Sequence, residues 1–194
     1  MKQATPQGEL NRLHDGIRRC RRCILHRSRE HAVPGEGPIW AKILLVGEAP
    51  GREEDRQGRP FVGRSGRFLD SLLEEAGVSR RKIYITSSVK CRPPRNRAPR
   101  ADELKICKAN WLDRQIRLIR PKIIVLLGKT SVRQVLGLKG NLSRLHGRVF
   151  GQNGIRCLVT FHPAAGMRFP RIKGKMKHDF KKLNILTPEN CSMK

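Results

Sequence analysis

Four short apolar runs, rich in β-branched residues and separated by helical patterns, constrain the fold of this chain more than any other feature. Turn residues or charges bound the runs, which span residues 43–46, 83–86, 123–127 and 157–161. Such runs are typical of strands buried on both faces of a parallel sheet. Apolar positions recur at helical spacing in segments 9–25, 65–76, 101–120, 130–136 and 175–183. The alternation predicts an α/β layered fold with a mainly parallel sheet, and functional sites at the carboxyl ends of the strands.

The length of 194 residues predicts one domain over residues 1–194, with a frayed tail from about residue 187. No apolar run reaches the ~20 residues that a membrane helix needs. The polar N-terminus lacks the apolar segment of a signal peptide. We therefore expect a cytoplasmic protein that does not interact with membranes.

The charge is strongly unbalanced. Lys and Arg number 42 against 16 Asp and Glu, a formal net charge of +26. A solvated basic surface of the thermophile kind is the alternative, but thermophiles usually balance Lys and Arg with Glu. The excess therefore favours a nucleic-acid partner, bound with steep salt dependence, and an association with the nucleoid.

Two predicted strands end in loops with chemically useful residues. GEAPG at 47–51 forms a tight turn whose amides can approach a ligand, and an acidic stretch then leads to GRPFVG at 58–63. Within it, Phe61 suits stacking on a flat base or burial in the core. The fourth run is followed by His162, placed to face a cleft, and by the mixed segment 167–169, which suits a wedge in a base stack or a hydrophobic anchor.

Two nucleotide-binding motifs are absent from the sequence. Gly128, Lys129 and Thr130 are similar to the end of a phosphate-binding P-loop, but Ile123 stands where its first glycine is required. No G-x-G-x-x-G occurs, so dinucleotide binding is unsupported.

Four of the six cysteines suggest a metal centre. A C-x-x-C pair, Cys20 and Cys23, lies at the end of the first predicted helix, while Cys91 follows the second strand and Cys107 lies early in a helix. Thiolates from three elements suit an iron–sulfur cluster or a zinc ion, and His26 is an alternative zinc ligand. The other two, Cys157 in a strand and Cys191 in the tail, are interpreted as a buried apolar residue and a bystander.

Taken in order, these motifs resemble the family-four, iron–sulfur uracil-DNA glycosylases of archaea and thermophilic bacteria. The resemblance covers roughly residues 10–183. It rests on GEAPG, GRPFVG, KCRPP at 90–94 with NR at 96–97, HPAA at 162–165 and the cysteine positions. Each motif alone is weak, but their ordered combination is highly specific.

The resemblance implies a three-layer α/β/α sandwich around a central four-stranded parallel sheet. It implies a monofunctional glycosylase that releases a base without cutting the strand. It also implies a [4Fe-4S] cluster held by four cysteines, Cys20, Cys23, Cys91 and Cys107. It assigns catalysis to His162, which stabilises charge growing on the base, and to Glu48, which positions water or stabilises the sugar cation.

The remaining site residues follow from the same resemblance. Backbone groups of the turn at Gly47 and Ala49 bind the base edge, Phe61 stacks on it, and Glu54 excludes the thymine methyl. Asn96 supports Glu48 across the cleft. DNA contacts are assigned to Met167, Arg168 and Arg97, the first two filling the gap left in the duplex.

One position departs from the family. Members usually carry asparagine directly after the second strand, whereas this chain has Ser87 there. Serine lacks the amide that offers both a donor and an acceptor to uracil. A water molecule or Ser88 is expected to replace that contact. We expect weaker uracil activity or a shift towards another deaminated base such as hypoxanthine.

Two other classes remain open on the sequence. An iron–sulfur protein that binds DNA without the chemistry is kept open by Ser87, and a zinc-stabilised nucleic-acid protein is kept open by the cysteine spacing. The expected partner is DNA, single- or double-stranded, containing a deaminated base. We expect a monomer, and no convincing motif for docking on a sliding clamp is found.

Overall fold

The computed structural model describes residues 5–186 of the chain. The tail predicted from residue 187, with Cys191, lies outside this range. None of the helices in residues 5–186 has both the length and the apolar character needed to cross a membrane.

A single twisted sheet forms the centre of the molecule, and the predicted α/β fold is confirmed. Its strands are β1 Ile43–Gly47, β2 Ile83–Ser87, β3 Ile123–Leu127, β4 Val149–Gln152 and β5 Ile155–Thr160. Their order is β2-β1-β3-β5-β4. The strands β2, β1, β3 and β5 are parallel, and three of them are buried along their whole length, as the apolar runs predict.

The predicted strand number of four is corrected to five. The additional strand β4 pairs antiparallel with β5 at the edge of the sheet. Its four residues alternate between exposed and half-buried positions, so its sequence, VFGQ, contains no apolar run. A tight turn at Asn153 and Gly154, both with positive φ, joins the two strands.

Helices lie on both faces of the sheet. They are α1 Pro6–Arg18, α2 Arg52–Gln57, α3 Arg64–Glu75, α4 Ala101–Cys107, α5 Asp113–Ile119, α6 Lys129–Leu136, α7 Leu142–Leu145, α8 Pro163–Arg168 and α9 Pro170–Leu186. Helices α3, α8 and α9 pack together, and α1 packs against α5. Short 3-10 turns occupy Ile24–Arg27, Arg80–Lys82 and Pro94–Asn96.

Two predicted helices differ from those observed. The first ends at Arg18, so the C-x-x-C pair lies in the turn after it rather than at its end. The helix predicted over 101–120 is interrupted by a π-helical turn, Lys108–Leu112, between α4 and α5. Such wider turns occur often at functional sites, and this one directly follows Cys107.

The strand order places a crevice at the carboxyl ends of β1 and β3. The chain crosses from β1 to β2 on one side and then returns to β3 on the other side of β1. Parallel sheets bind ligands where the direction of winding reverses in this way. A large apolar core surrounds the sheet, and a second, smaller core contains Leu13, Ile17, Cys91, Cys107 and Trp111.

Candidate functional site

A cavity of about 470 Å³ opens at the carboxyl ends of the strands, and we call it the strand-end cavity. Most of the residues predicted for catalysis and base binding line it together with Arg97, a predicted DNA contact, although they come from distant parts of the chain. They are Glu48, Ala49, Glu54, Phe61, Ser87, Asn96, Arg97 and His162. The crevice therefore combines an aromatic ring, an imidazole and carboxylates in a space of ligand size.

Phe61 belongs to the apolar core, as one of its two predicted uses requires, and it also forms a wall of the cavity. Its φ of 52° is unusual for a bulky residue, and such strain persists only where the surroundings impose it. Two glycines leave the space that Phe61 occupies. A Cβ on Gly47 would lie 2.7 Å from Cζ of Phe61, and a Cβ on Gly66 would lie 1.9 Å from the Phe61 carbonyl oxygen. Gly47 thus acts by lacking a side chain, and it is not among the residues lining the cavity.

The buried carboxylate of Glu54 holds the loop that carries Phe61. One oxygen accepts N–H bonds from Val62 at 3.0 Å and Gly63 at 2.8 Å, and the other accepts from Gly51 at 3.1 Å. These bonds join the turn after β1 to the aromatic loop. The side chain lines the cavity, but its oxygens are engaged by the backbone.

His162 is placed as a neutral hydrogen-bond donor. It caps the N-terminus of α8, where Nδ1 accepts the backbone N–H of Ala164 at 3.2 Å. A neutral imidazole that accepts at Nδ1 carries its proton on Nε2. Burial lowers the pKa of His162 below its ordinary value, and the opposing charges of Glu48 and Glu54 do not reverse this shift. Its ring centroid lies 5.8 Å from that of Phe61.

Glu48 is oriented by Thr130, which belongs to the segment that is similar to the end of a P-loop but lacks the first glycine of that motif. The Thr130 hydroxyl at the start of α6 donates to Oε2 of Glu48. The contact joins the ends of β1 and β3 across the crevice. Gly128, two residues before Thr130, has a φ of 97°, and a Cβ there would lie 3.2 Å from Cβ of His162. The segment 128–130 therefore supports both expected catalytic residues.

Ser87 lies at the base of the cavity, while Ser88 does not line it. The Oγ of Ser87 is 3.4 Å from the position of a Cβ on Gly47, next to the aromatic ring. Ser88 is fully buried and donates its hydroxyl to the Gly47 carbonyl at 2.9 Å, so it is unsuited to the base contact considered for it. The buried ammonium of Lys90 donates to the Ser87 carbonyl at 2.7 Å and fixes this strand end.

Asn96 and Arg97 line the cavity, and the side chain of each is hydrogen-bonded to another side chain of the protein. The Asn96 Oδ1 accepts Nε of Arg92 at 2.7 Å, so the support of Glu48 expected from Asn96 comes from Thr130 instead. The Arg97 guanidinium donates two bonds, of 2.9 and 2.6 Å, to the fully buried carboxylate of Glu103.

The segment after the cavity-lining residues Ala164 and Ala165 carries exposed apolar side chains, as the wedge hypothesis requires. Met167 is 39% exposed near the end of α8, and Phe169 is 48% exposed just after it. The Arg168 guanidinium lies 5.4 Å from the Phe169 ring centroid. Apolar and cationic groups thus stand side by side at this edge.

Four cysteines pack together in the smaller core. Cys91 and Cys107 are buried there, with Cys20 and Cys23 packed against them. Trp111, on the π-helical turn, donates its indole N–H to Sγ of Cys20 at 3.3 Å.

The charges around these thiols suit anionic sulfur. Arg29 donates to Sγ of Cys91 at 2.9 Å. Burial raises the pKa of Cys91 to about 11 and that of Cys107 to about 12, so a bound metal would have to displace their protons. In residues 5–186, no three His, Cys, Asp or Glu side chains converge on a single metal-ion position.

His26 binds the Cys23 carbonyl through Nδ1 at 2.7 Å, and the predicted buried residue Cys157 lies apart in β5.

The chain is similar to known proteins over most of its length. Residues 34–185 match the family model described as the uracil DNA glycosylase superfamily. A type-4 uracil-DNA glycosylase of Sulfurisphaera tokodaii is 40% identical over 195 aligned residues, covering 95% of this chain and 88% of that protein. One of Saccharolobus solfataricus is 42% identical, covering 90% and 84%. A type-5 uracil-DNA glycosylase of Pyrobaculum aerophilum is 35% identical, covering 68% and 65%.

Proposed function

Because the chain belongs to the uracil-DNA glycosylase superfamily, we propose that it removes uracil from DNA by hydrolysing the bond between base and deoxyribose. The observation that carries the proposal is the strand-end cavity, where Phe61, His162 and Glu48 meet. The flat ring offers a surface for an extruded base, and the two polar groups match the charges that appear as the bond breaks. The product is an abasic site in an unbroken strand.

The reaction starts with extrusion of the nucleotide, which costs a few kcal/mol of stacking and pairing. The base then stacks against Phe61, whose strained backbone is held by the Glu54 bonds to the loop. Exposed Met167 and Arg168 at the rim are proposed to fill the gap in the DNA. Glu54 limits room for a thymine methyl by holding this loop, rather than by a free carboxylate.

Bond cleavage places negative charge on the base and positive charge on the sugar. Neutral His162 donates its Nε2 proton in a hydrogen bond to a uracil oxygen, and this bond strengthens as the base becomes an anion. Glu48 faces the sugar cation and orients the attacking water. Thr130 occupies one carboxylate oxygen of Glu48, which leaves the other for that water.

We further propose that Cys20, Cys23, Cys91 and Cys107 hold a [4Fe-4S] cluster. Their common core, the donor Arg29 and the family resemblance support this assignment. Such a cluster supplies a cross-link between three distant segments, since hydrolysis of a glycosidic bond requires no electron. A brown protein containing iron would support it, whereas a colourless protein containing zinc would refute it.

We also propose the domain organisation, oligomeric state and location of the protein. One central sheet in residues 5–186 supports a single domain, and the chain is proposed to be a monomer. The charge of +26 supports association with the nucleoid. Docking on a sliding clamp has no support in the described residues.

The proposed function is tested by base release from matched oligonucleotides that carry one uracil, one hypoxanthine or neither. We expect release of uracil, and strand breaks only after alkaline treatment of the abasic product. Specific binding without release of either base would contradict the proposal and would favour the DNA-binding protein without glycosylase chemistry.

Thr130→Val is expected to lower kcat for uracil release about tenfold, corresponding to roughly 1.4 kcal/mol, with little change in KM. Valine keeps the shape but removes the donor that orients Glu48. Thr130→Ser keeps a hydroxyl and is expected to retain most of the activity. Equal losses in the two variants, or a loss confined to KM, would show that Thr130 does not position Glu48.

Cys91→Ser is expected to lower the melting temperature by roughly 5 °C, or about 2 kcal/mol, and to reduce iron per chain. Serine nearly preserves size but replaces one thiolate of the proposed cluster. Cys157→Ala, in the other core, serves as control because it should alter packing and leave iron content unchanged. Unchanged melting, iron content and activity in Cys91→Ser would refute the cluster assignment.

A further inference from the structure

A second cavity, of about 620 Å³, lies beside the strand-end cavity, and we call it the arginine groove. Four arginines line it together with apolar groups: Arg27, Arg95, Arg97, Arg100, Ile24 and Pro94. Arg97 lines both cavities, so the two are contiguous. No residue lining the groove is acidic.

The wall between the cavities is the short segment 93–97. Pro93 and Asn96 face the strand-end cavity, whereas Pro94 and Arg95 face the groove. Arg95 and Asn96 have φ values of 55° and 56°, two consecutive left-handed residues without glycine. Such strain concentrates at functional sites. Even fully extended, a segment of five residues spans only about 17 Å. The two cavities are therefore close enough for a single DNA strand to reach both.

The charges in the groove are available to a ligand. Arg97 is paired with Glu103. Arg27, Arg95 and Arg100 are exposed and have no salt bridge to any acidic group within residues 5–186. Exposed, unpaired arginines around a concave surface suit phosphate, which the planar guanidinium binds through two donors.

The apolar part of the groove distinguishes a nucleotide from a free anion. Ile24 is 48% exposed, next to exposed Pro94. A phosphate alone needs no apolar platform, whereas a nucleobase gains from contact with one. The volume also lies within the usual range for sites that hold a whole small ligand, about 300–1,000 Å³.

We infer that the arginine groove binds the nucleotide adjacent to the extruded one on the same DNA strand. Arg95 and Arg100 bind its phosphate, Arg27 adds a third cation, and its base lies against Ile24 and Pro94. This inference rests on the proposed function. The flipped nucleotide and its neighbour lie on opposite sides of segment 93–97, so the wall separates two successive bases.

The test measures binding to a single-stranded oligonucleotide that carries 2′-fluorodeoxyuridine, which resists cleavage. One phosphate at a time is replaced by an uncharged methylphosphonate. In the wild type we expect one flanking position at which neutralisation weakens binding most. In R95A/R100A, the same substitution should have no further effect, and the slope of log K against log salt concentration should fall by roughly 0.7, the value for one phosphate of a single strand that is no longer neutralised.

The control is R81A/R117A, which removes two exposed arginines. They lie on the segments that precede β2 and β3, at the amino ends of these strands, whereas the site lies at the carboxyl ends. This control should lower the affinity for the oligonucleotide slightly, and neutralisation of the same flanking phosphate should still weaken binding most. If R95A/R100A weakens binding evenly at all phosphates, as the control does, the groove has no defined nucleotide and the inference fails. Failure of the proposed function is seen separately, as absence of uracil release by the wild type from cleavable DNA.

Discussion

Replacing His162 with alanine is expected to lower kcat for uracil release between about 100-fold and about 1000-fold, the usual effect of losing a donor to a developing anion. The loss should fall on kcat, because the hydrogen bond strengthens only as charge moves onto the base. The residual rate would come from Phe61 stacking and from Glu48. Single-turnover kinetics with a uracil oligonucleotide, alongside binding to the uncleavable analogue, measures both effects.

The pH dependence separates this role from a structural one. The pKa of His162 is lowered by burial, so the active neutral form should persist below the ordinary histidine pKa of about 6.5. As the pH falls through the lowered pKa, release should decline, since an imidazolium no longer accepts the Ala164 N–H. The same protonation disfavours the folded state, because the unfolded chain binds that proton more readily. An acid limb at or above the ordinary pKa, or one unchanged in His162→Ala, would contradict the assignment.

Ser87→Asn is expected to raise kcat/KM for uracil roughly tenfold or more, within the range of about 1–3 kcal/mol for a two-bond contact to a base. The asparagine amide offers a donor and an acceptor on two separate atoms that can bind two groups of the uracil edge, whereas the shorter serine has a single oxygen. The side chain would extend from the end of β2 into a cavity of about 470 Å³, so space is available. Competition between uracil and hypoxanthine oligonucleotides measures the change in preference.

Two controls define that result. Ser87→Ala removes the remaining hydroxyl and should lower uracil release further. Ser65→Asn places an amide on the part of the cavity formed by α3, and it should give no gain. No increase in uracil release by Ser87→Asn, with folding intact, would show that the serine does not limit uracil recognition in this protein.

The sequence alone determined the sheet and the edge at which the site forms. Runs such as 123–127 are buried on both faces, so their composition is set by the strand itself and can be recognised locally. Strand β4 was missed because its exposed edge position imposes no apolar pattern. The sequence also brought His162, Phe61 and the four cysteines into consideration, since their motifs occur in a specific order.

Only the tertiary structure decided how those residues are supported. The partner of Glu48 is Thr130, 82 positions away, and the Glu54 carboxylate binds backbone amides of the Phe61 loop rather than projecting freely. The arginine groove likewise joins segments that follow Cys23 and Cys91. Contacts of this kind depend on distance in space and leave no periodic pattern in the chain, because a single hydroxyl or guanidinium can be supplied from any element that packs nearby.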